Sequence, residues 1–323
     1  MATTTDPAAH LSADVPAMVI RALTPSITIF SMPFTRHGSI HFGLRCTAVR
    51  LRTGSLAIFS ACPLTPTVLA ALTSISPDPQ VPTAPNVRYL IAPDTEHHLN
   101  IGPWKKAFPR AHILAPEGLR EKLAEQGHAD AAEPYAHVWA GAPRSWTDED
   151  KFGTLPAEFK DEFDIECFDT HETNEVAFLH RLDGDSLIEI AFLHRPDGGS
   201  LIEADLFFNL PALEQFSATN PPVDPTRGFS SIVLNHLGAG PELDSHGAVI
   251  PGSTIGHRRL LWWLFTTKNN RRKLAESAKV VSGWEFSRII PCHGEVAEDG
   301  DQHKGRAKDM WDDVFRWHLD LLS

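Results

Sequence analysis

The stretch Val87–Gly102, VRYLIAPDTEHHLNIG, decides how the rest of the chain is interpreted. It opens with a short apolar run, which predicts a buried strand that ends at Pro93. The next five residues carry polar side chains: Asp94, Thr95, Glu96, His97 and His98. In α/β folds, a strand that delivers acidic and histidine side chains into a loop is a common way to build a metal or acid–base site. The alternative is a solvated loop with two incidental histidines, since the chain contains 17 of them.

Polar residues at three further places favour the site over the incidental loop. His171 and His293 each follow a predicted strand, and Asp205 lies where another apolar run ends. His293 stands in the sequence PCHGE, directly after the short apolar run 286–290. Because several strand ends deliver ligand-type side chains, we expect these residues to act together with the loop 94–98.

The composition excludes some classes of function. The 323 residues are 42% hydrophobic and 22% charged, which is ordinary for a soluble globular protein. The formal net charge of −12 argues against a general affinity for nucleic acid or for an anionic membrane, because phosphate binding needs a basic face. The one basic run, KNNRRK at 268–273, precedes a helical pattern, and we interpret it as a solvated helix start.

The cysteines and the N-terminal sequence predict a cytoplasmic protein. The four cysteines lack CxxC spacing, which suits a reducing compartment better than a disulfide framework. No apolar run approaches the roughly 18 residues of a membrane span. The N-terminal residues have neither a basic segment nor an apolar core, so they do not form a secretory signal.

The chain is predicted to consist of a weakly ordered tail at 1–24 and a single domain at 25–323. Two β-rich runs joined by the turn Thr53-Gly54 open the domain as a hairpin. A helix then starts at Pro66, with Thr65 as its N-cap.

Helical spacing of apolar residues also covers the stretch 258–265, RRLLWWLF. This periodicity predicts that Trp262 and Trp263 belong to the core and do not form a ligand platform.

A tandem duplication interrupts the second half of the chain. VAFLHRLDGDSLIE at 176–189 is followed directly by IAFLHRPDGGSLIE at 190–203. Each copy predicts a strand, an Asp-Gly turn and a strand, and two copies are too few for a solenoid. We interpret the repeat as a local insertion that adds or extends a β-hairpin. Two roles stay open for it: reshaping the rim of the site, and self-association into a homo-oligomer through an exposed strand edge.

The order of these elements resembles the metallo-β-lactamase superfamily, from about Ile27 to His318. The resemblance implies an α/β (α+β) fold, the four-layer αββα sandwich of that superfamily, with the duplicated β-hairpin as an insertion. Three phrases are similar to those of a fungal branch of uncharacterised metallo-β-lactamase-like proteins, the DUF4336 type. These phrases are APDTEHH at 92–98, EADLFFNLP at 203–211 and IIPCHG at 289–294.

The resemblance implies ligand positions in the loop 94–98. In the superfamily motif HxHxDH, His98 matches the last histidine, and His97 stands where the aspartate belongs. Pro93 and Thr95 occupy the positions of the first two histidines, so those two ligands are absent.

The other implied ligands lie further along the chain. His171 matches the histidine of the superfamily's Gly-His-Thr turn, Asp205 its bridging aspartate and His293 its final histidine. Removing one copy of the repeat shortens the interval from His171 to Asp205 from 34 to 20 residues, near the superfamily's usual spacing. The resemblance therefore implies five metal ligands: His97, His98, His171, Asp205 and His293.

The two missing histidines change the expected chemistry. A dinuclear zinc site of this superfamily needs about seven protein ligands, whereas the residues that remain suffice for one ion with an open coordination position. We expect one or two divalent metal ions, with zinc first and iron or manganese as alternatives. Asp94 and Glu96 are expected to act as a catalytic general base, to replace missing ligands or to fix a histidine tautomer.

The resemblance implies a metal-dependent hydrolase that uses metal-activated water on a small ester, lactone, thioester or amide. The alternative is a catalytically silent or non-hydrolytic protein of the same fold, such as an iron protein of the oxidoreductase type, that binds a small molecule or a partner. The expected partner is a small-molecule substrate, and neither nucleic acid nor a membrane is expected.

Overall fold

The chain folds into two compact units of mixed α/β structure. The first comprises Met1–Pro16, Ile20–Phe30 and Cys46–Glu162, and the second Ala17–Val19, Ser31–Arg45 and Phe163–Ser323. Among the described residues, no helix has the length and apolar character needed to cross a membrane. The computed structural model describes residues 6–13, 15, 17–125, 137–139, 152–153, 155–181, 199–227, 241–246, 248–250, 253–266, 270–300 and 303–323.

The mixed α/β class predicted from the sequence is confirmed. The division into a tail at 1–24 and one domain at 25–323 stays a prediction. The strands of the described residues are β1 (Val19–Ala22), β2 (Ile27–Met32), β3 (Thr35–Arg36), β4 (Ile40–His41), β5 (Leu44–Arg50), β6 (Leu56–Phe59), β7 (Val87–Ile91), β8 (His112–Pro116), β9 (His137–Trp139), β10 (Phe163–Phe168), β11 (Glu175–His180), β12 (Gly199–Ile202), β13 (Phe286–Ile290) and β14 (Ala297–Glu298).

Helices of three kinds accompany these strands. Within the described residues, two 3₁₀-helices cover Pro7–His10 and Asp320–Leu322, and a π-helix covers Leu261–Phe265. The α-helices of the described residues are α1 (Pro66–Ile75), α2 (Ile101–Ala107), α3 (Leu119–Glu125), α4 (Ala157–Glu162), α5 (Leu213–Phe216), α6 (Ile255–Leu260), α7 (Arg271–Ser282) and α8 (Arg306–Leu319).

The first unit is built on a seven-stranded sheet with the order β1-β2-β5-β6-β7-β8-β9. The predicted hairpin is confirmed, because β5 and β6 pair antiparallel across the turn at Thr53-Gly54. From β6 to β9 the strands are parallel, and Leu90 of β7 pairs with Ile58 and Ile113 on either side. All three side chains are buried, as expected for parallel strands that are covered on both faces.

Helices α1 and α2 of the first unit begin where the local sequence specifies. The Thr65 hydroxyl accepts a hydrogen bond from the Val68 amide at 3.2 Å, so the predicted N-cap of α1 is confirmed. Helix α2 starts at Ile101. Its Trp104 is fully buried and donates from Nε1 to the Cys62 carbonyl at 2.6 Å.

The second unit is built on a five-stranded sheet with the order β10-β11-β12-β13-β14. Helices α7 and α8 contribute Leu274, Trp311 and Phe315 to one apolar core with Phe168 and Ile289 of the sheet. The Trp311 and Phe315 rings stack at 4.2 Å between centroids.

Helix α8 is also bound to α6 and to Thr254, the residue before it. The buried Asp313 carboxylate forms an ion pair with Arg258 and accepts a hydrogen bond from the Thr254 hydroxyl at 2.6 Å. This paired, hydrogen-bonded arrangement is the form in which charges are tolerated inside a protein.

The start of the first copy and the end of the second copy of the duplicated segment form strands in the sheet of the second unit. Strand β11, from the first copy, pairs antiparallel with β12, from the second copy, in the register Phe178↔Ile202 and His180↔Ser200. Because the copies repeat every 14 residues, one copy alone could form the same pairs. This register agrees with an insertion in the connection of an original hairpin. The hairpin predicted within each copy depends on residues 182–198, which lie outside the described residues.

The apolar stretch 258–265 departs from its predicted regular helix. Helix α6 ends at Leu260, and the π-helix Leu261–Phe265 continues it. A π-turn adds a residue to the turn and so shifts the phase of the apolar positions. Trp263 is therefore 71% exposed, and the prediction that it lies in the core is wrong. The Arg271 guanidinium lies 4.6 Å from the Trp263 ring centroid and 4.3 Å from that of Trp262.

His257 of α6 is fully buried beside Phe207 and Phe208, with ring centroids 5.9 and 5.5 Å away. Burial, chiefly, lowers the pKa of His257 from its ordinary 6.5 to about 3, against a smaller opposing effect of the Leu206 backbone. The folded protein therefore holds this imidazole neutral over a range in which the unfolded chain takes up a proton.

We predict that His257 makes stability depend on pH between about 6.5 and 3. The free energy of unfolding should fall as pH decreases through this window, because the unfolded state binds the extra proton. The slope contributed by one group is at most about 1.4 kcal/mol per pH unit. Urea unfolding of His257→Gln between pH 7 and 5 should show a shallower slope than the wild type. The exposed His246→Gln serves as control, and equal slopes for all three proteins would contradict the prediction.

The register of β12 predicts that one copy of the repeat is dispensable but that the choice of copy matters. Deleting 182–195 keeps Gly199, whereas deleting 190–203 places Asp185 at the same point of the strand. A Cβ at Gly199 would lie 2.7 Å from the His180 carbonyl oxygen. We expect the first deletion to change the free energy of unfolding by less than about 1 kcal/mol and the second to cost about 1–3 kcal/mol more.

Urea unfolding of both deletion variants measures this difference. Size-exclusion chromatography of the same proteins tests self-association through the repeat. An unfolded 182–195 deletion, or equal stability of the two deletions, would refute the predicted register.

Candidate metal-binding residues

The loop that follows β7 in the first unit is organised by the Asp94 carboxylate. Asp94 is fully buried, and its Oδ1 accepts hydrogen bonds from the backbone amides of Glu96 at 2.9 Å and His97 at 2.7 Å. An aspartate that binds amides two and three residues ahead closes a tight turn. The carboxylate therefore sets the conformation of the loop that carries the candidate ligands.

The same carboxylate orients the His97 ring. Nδ1 of His97 lies 2.9 Å from each of the Asp94 oxygens. Since a carboxylate can only accept, Nδ1 carries the proton, and Nε2 of the neutral ring is the nitrogen able to bind a metal ion. A carboxylate behind an imidazole in this way is the usual arrangement around metal-binding histidines. Of the roles expected for Asp94, this contact supports fixing a histidine tautomer.

Glu96 and His98 differ in their environments. The Glu96 side chain is 52% exposed and forms an ion pair with Lys122 of α3. Lys122 also donates to the Thr95 carbonyl at 2.9 Å, so it anchors the tip of the loop. His98 is 3% exposed, and its carbonyl accepts the Ile101 amide at the start of α2. The catalytic roles expected for Asp94 and Glu96 stay predictions.

Two buried glutamates hold Asp205 in the second unit. Glu175 of β11 accepts the backbone amides of Ala204 at 2.8 Å and Asp205 at 3.1 Å. Glu203 accepts the amides of Leu206 at 2.8 Å and Phe207 at 3.0 Å. These carboxylates take the amides that a strand would pair with a neighbour, so the backbone at 204–207 is not part of a strand. Strand β12 ends at Ile202, and Asp205 lies in the turn that follows.

The turn after β13 is held by side chains from the α5 region. The Gln215 amide donates to the Cys292 carbonyl and accepts the Gly294 amide, both at 2.9 Å. The backbone amide of Asn209 also donates to the His293 carbonyl, at 3.3 Å. Gly294 has φ +88, and a Cβ there would lie 2.2 Å from the Asn209 oxygen, so only glycine fits.

The His293 ring is fixed by a main-chain acceptor of the same unit. Its Nδ1 lies 2.7 Å from the Gly43 carbonyl oxygen, which can only accept, so Nδ1 carries the proton. Nε2 of the neutral ring then has a lone pair, and it lies 3.3 Å from Oδ1 of Asp205. Two acceptors at this distance repel each other unless a proton or a metal ion lies with them. We refer to these two side chains as the His293–Asp205 pair.

The donor chemistry of the second unit fits a divalent metal ion. Imidazole and carboxylate donors are ligands that zinc, iron and manganese all accept. Both members of the His293–Asp205 pair are nearly buried, at 7% and 8% exposure. The His293 ring also contacts Phe208, Phe42 and Phe34, with centroids 5.5, 5.6 and 6.5 Å away. Such apolar surroundings strengthen the attraction between an ion and its ligands.

His171 also lies in the second unit and has a polar partner of its own. Its Nδ1 lies 2.8 Å from the Thr173 hydroxyl, and its ring packs at 4.8 Å on Phe265. The residue is 3% exposed. The first unit thus holds His97 and His98, and the second holds His171, Asp205 and His293. Their identity as metal ligands stays a prediction.

Sequence reasoning missed the residues that position the candidate ligands. Glu175 and Gln215 stand in stretches without a recognisable motif. Gly43 acts through its carbonyl oxygen, which no side-chain pattern reveals. Glu203 stands within the phrase EADLFFNLP, two residues before Asp205. This closeness in sequence is the one signal that could have identified it.

We predict that the turn around His293 tolerates no side chain at Gly294. Replacing Gly294 with Ala should lower the free energy of unfolding by about 3 kcal/mol, because strain at positive φ adds to the clash with Asn209. Gly305→Ala is the matched control, since Gly305 has φ +84 but nothing within 4 Å of its Cβ position. The control should lose only about 1 kcal/mol. Equal losses in urea unfolding would contradict the described geometry.

Comparison with known proteins shows the fold. No family model matches the chain, and no curated protein matches it. The structure of VMB-1 is 8% identical and covers 96% of this chain and 100% of its own, with a TM-score of 0.50. The metal-soaked Flv1 flavodiiron core from Synechocystis sp. PCC6803 is 9% identical and covers 96% of this chain and 62% of its own, also at 0.50.

A further similar structure is the mono-zinc form of the metallo-β-lactamase FIM-1 from Pseudomonas aeruginosa. It is 11% identical and covers 95% of this chain and 98% of its own, with a TM-score of 0.45. Identities this low establish the architecture of the chain and not its activity. The chain has an α/β fold of the metallo-β-lactamase type.

Proposed function

We propose that the protein is a metal-dependent hydrolase of a small ester, lactone, thioester or amide. The observation that carries the proposal is the His293–Asp205 pair. Nδ1 of its histidine lies on the Gly43 carbonyl, and Nε2 lies 3.3 Å from a carboxylate oxygen of Asp205. The ligands that we propose are His97, His98, His171, Asp205 and His293, with zinc as the first choice of metal.

The residues of the chain have separate tasks in this proposal. A bound divalent ion would lower the pKa of water towards neutrality and so supply hydroxide. His293 and Asp205 would hold the ion, and the Gly43 carbonyl, by binding the proton on Nδ1, would leave Nε2 as the nitrogen that binds the ion. In the first unit, the Asp94 carboxylate would do the same for His97. Asp94 and Glu96 are the two candidates for the general base. Glu96 is the weaker of them, because its carboxylate forms an ion pair with Lys122 at the surface.

A second candidate function is that of an iron protein of the oxidoreductase type. The likeness to the Flv1 flavodiiron core supports this alternative, because its TM-score of 0.50 equals that of VMB-1. Histidine and carboxylate donors suit iron as readily as zinc, so the identity of the bound metal separates the two functions. The proposal also includes membership of the fungal DUF4336-type branch, a cytoplasmic location and homo-oligomerisation.

Metal content per chain tests the proposal. Elemental analysis of protein purified without added metal should find about one or two equivalents of zinc in the wild type. His98→Ala combined with His293→Ala should remove most of this metal. A matched control combines His37→Ala with His246→Ala, two exposed histidines outside the proposed ligand set. The control should keep the wild-type metal content.

Activity assays complete the test. Hydrolysis of a panel of esters, lactones, thioesters and amides should disappear in the ligand double variant and persist in the control. Iron in place of zinc, together with an inert panel, would favour the oxidoreductase alternative. Absence of metal from all three folded proteins would refute both functions.

A further inference from the structure

The first unit contains a cavity of about 660 Å³ that none of the proposed metal ligands lines. Its walls come from the 3₁₀-helix Pro7–His10, from α1, from the loop 77–85 and from the end of α2. The volume lies within the range of roughly 300–1,000 Å³ that is typical of small-molecule sites. We call it the α1–α2 cavity.

The loop 77–85 gives the α1–α2 cavity a preformed wall. Oδ1 of Asp78 accepts the amides of Gln80 at 2.8 Å and Val81 at 3.2 Å. The Asp78 amide donates to the Ala84 carbonyl at 2.7 Å, which closes the loop on itself. A wall that is already ordered lowers the entropy cost of binding a ligand.

The lining of the α1–α2 cavity carries more negative than positive charge. Asp78 forms an ion pair with Arg110 at 2.7 Å, and Arg110 also donates to the Gln80 side chain at 2.9 Å. Both ends of the Arg110 guanidinium are therefore occupied by lining residues. Asp6 accepts the Ala8 amide at 3.0 Å, and among the described residues it forms no ion pair. Two aspartates and one arginine leave the lining with one net negative charge.

Apart from Thr83, the rest of the lining is apolar. It includes Leu69, Val81, Val87, Ala107 and Phe108, of which the last three are buried. The net charge disfavours an anionic ligand, because an anion would meet two carboxylates and would have to displace Asp78 or Gln80 from Arg110. A cation with an apolar body satisfies both the Asp6 charge and the apolar wall.

We propose that the α1–α2 cavity binds an amphipathic organic monocation, with an ammonium group at Asp6 and an aliphatic or aromatic body against Val87 and Phe108. This site is separate from the proposed metal ligands and does not depend on the hydrolase proposal. It binds without any chemical step.

Isothermal titration calorimetry with three ligands of one chain length tests the proposal on the full chain. The ligands are octylammonium, 1-octanol and octanoate, which share the apolar body and differ in the charge of the head. Octylammonium should bind tightest with one site per chain, 1-octanol more weakly, and octanoate weakest.

Two kinds of variant locate the binding. Asp6→Asn should weaken octylammonium binding about threefold to fivefold, the effect of an exposed charge pair, and leave 1-octanol unchanged. Asp161→Asn, an exposed aspartate of α4 outside the cavity, is the matched control and should change neither. Ala84→Phe, or Leu69→Phe if the first variant does not fold, should weaken all three ligands by filling the cavity.

Three results would overturn the proposal. Octanoate binding tightest would mean that the site takes anions. Equal effects of Asp6→Asn and Asp161→Asn would mean that the preference for the cation comes from general surface charge. Unchanged binding to both filled variants, once their unfolding transitions show that they are folded, would place the binding elsewhere.

Discussion

Buried acceptors that bind backbone amides hold the turns that carry three of the candidate ligands. Asp94 closes the turn before His97, Glu175 and Glu203 hold the turn around Asp205, and the Gln215 amide holds the turn around His293. Each of these turns follows a strand, and its buried amides would be costly to leave without an acceptor. In both units, therefore, the turns that carry these three candidate ligands depend on buried acceptors for their conformation.

Burying carboxylates in these turns has an energetic cost that a purely structural loop would avoid. Burying an ionised carboxylate is unfavourable unless several hydrogen bonds compensate for the lost hydration. Glu175 is fully buried and Glu203 is 2% exposed, and each accepts two amides at 3.1 Å or less. An apolar turn closed by glycine or proline would be simpler to stabilise. We infer that the carboxylates are kept because they present Asp205 in one orientation, which a ligand needs.

The two fixed histidines use different acceptors for the same purpose. A carboxylate lies behind Nδ1 of His97, whereas a main-chain carbonyl lies behind Nδ1 of His293. Both contacts make Nε2 the unprotonated nitrogen. The carboxylate adds a negative charge behind the ring and increases its basicity, while the carbonyl only orients it. His257, by contrast, is kept neutral by burial among phenylalanine rings, so its role is in packing and in the pH dependence of stability.

Local sequence determined the elements whose signals are complete within a few residues. The hairpin at Thr53-Gly54, the N-cap at Thr65 and the strand Phe163–Phe168 could all be predicted, because turn chemistry, capping and periodicity act over short range. The position of the candidate ligands at the ends of apolar runs could be predicted for the same reason, as at His97 after β7.

Tertiary structure alone decided what lies behind those ligands. The Gly43 carbonyl that orients His293 comes from a residue 250 positions away, and Glu175 reaches Asp205 across 30. The sequence places Asp205 at the end of an apolar run, but only the fold shows that Glu175 accepts the Ala204 and Asp205 amides. The exposure of Trp263 follows from a π-turn that periodicity cannot show. Sequence by itself determined which side chains are available, and long-range hydrogen bonds decided their orientation, because a tautomer or a turn depends on partners that only folding brings near.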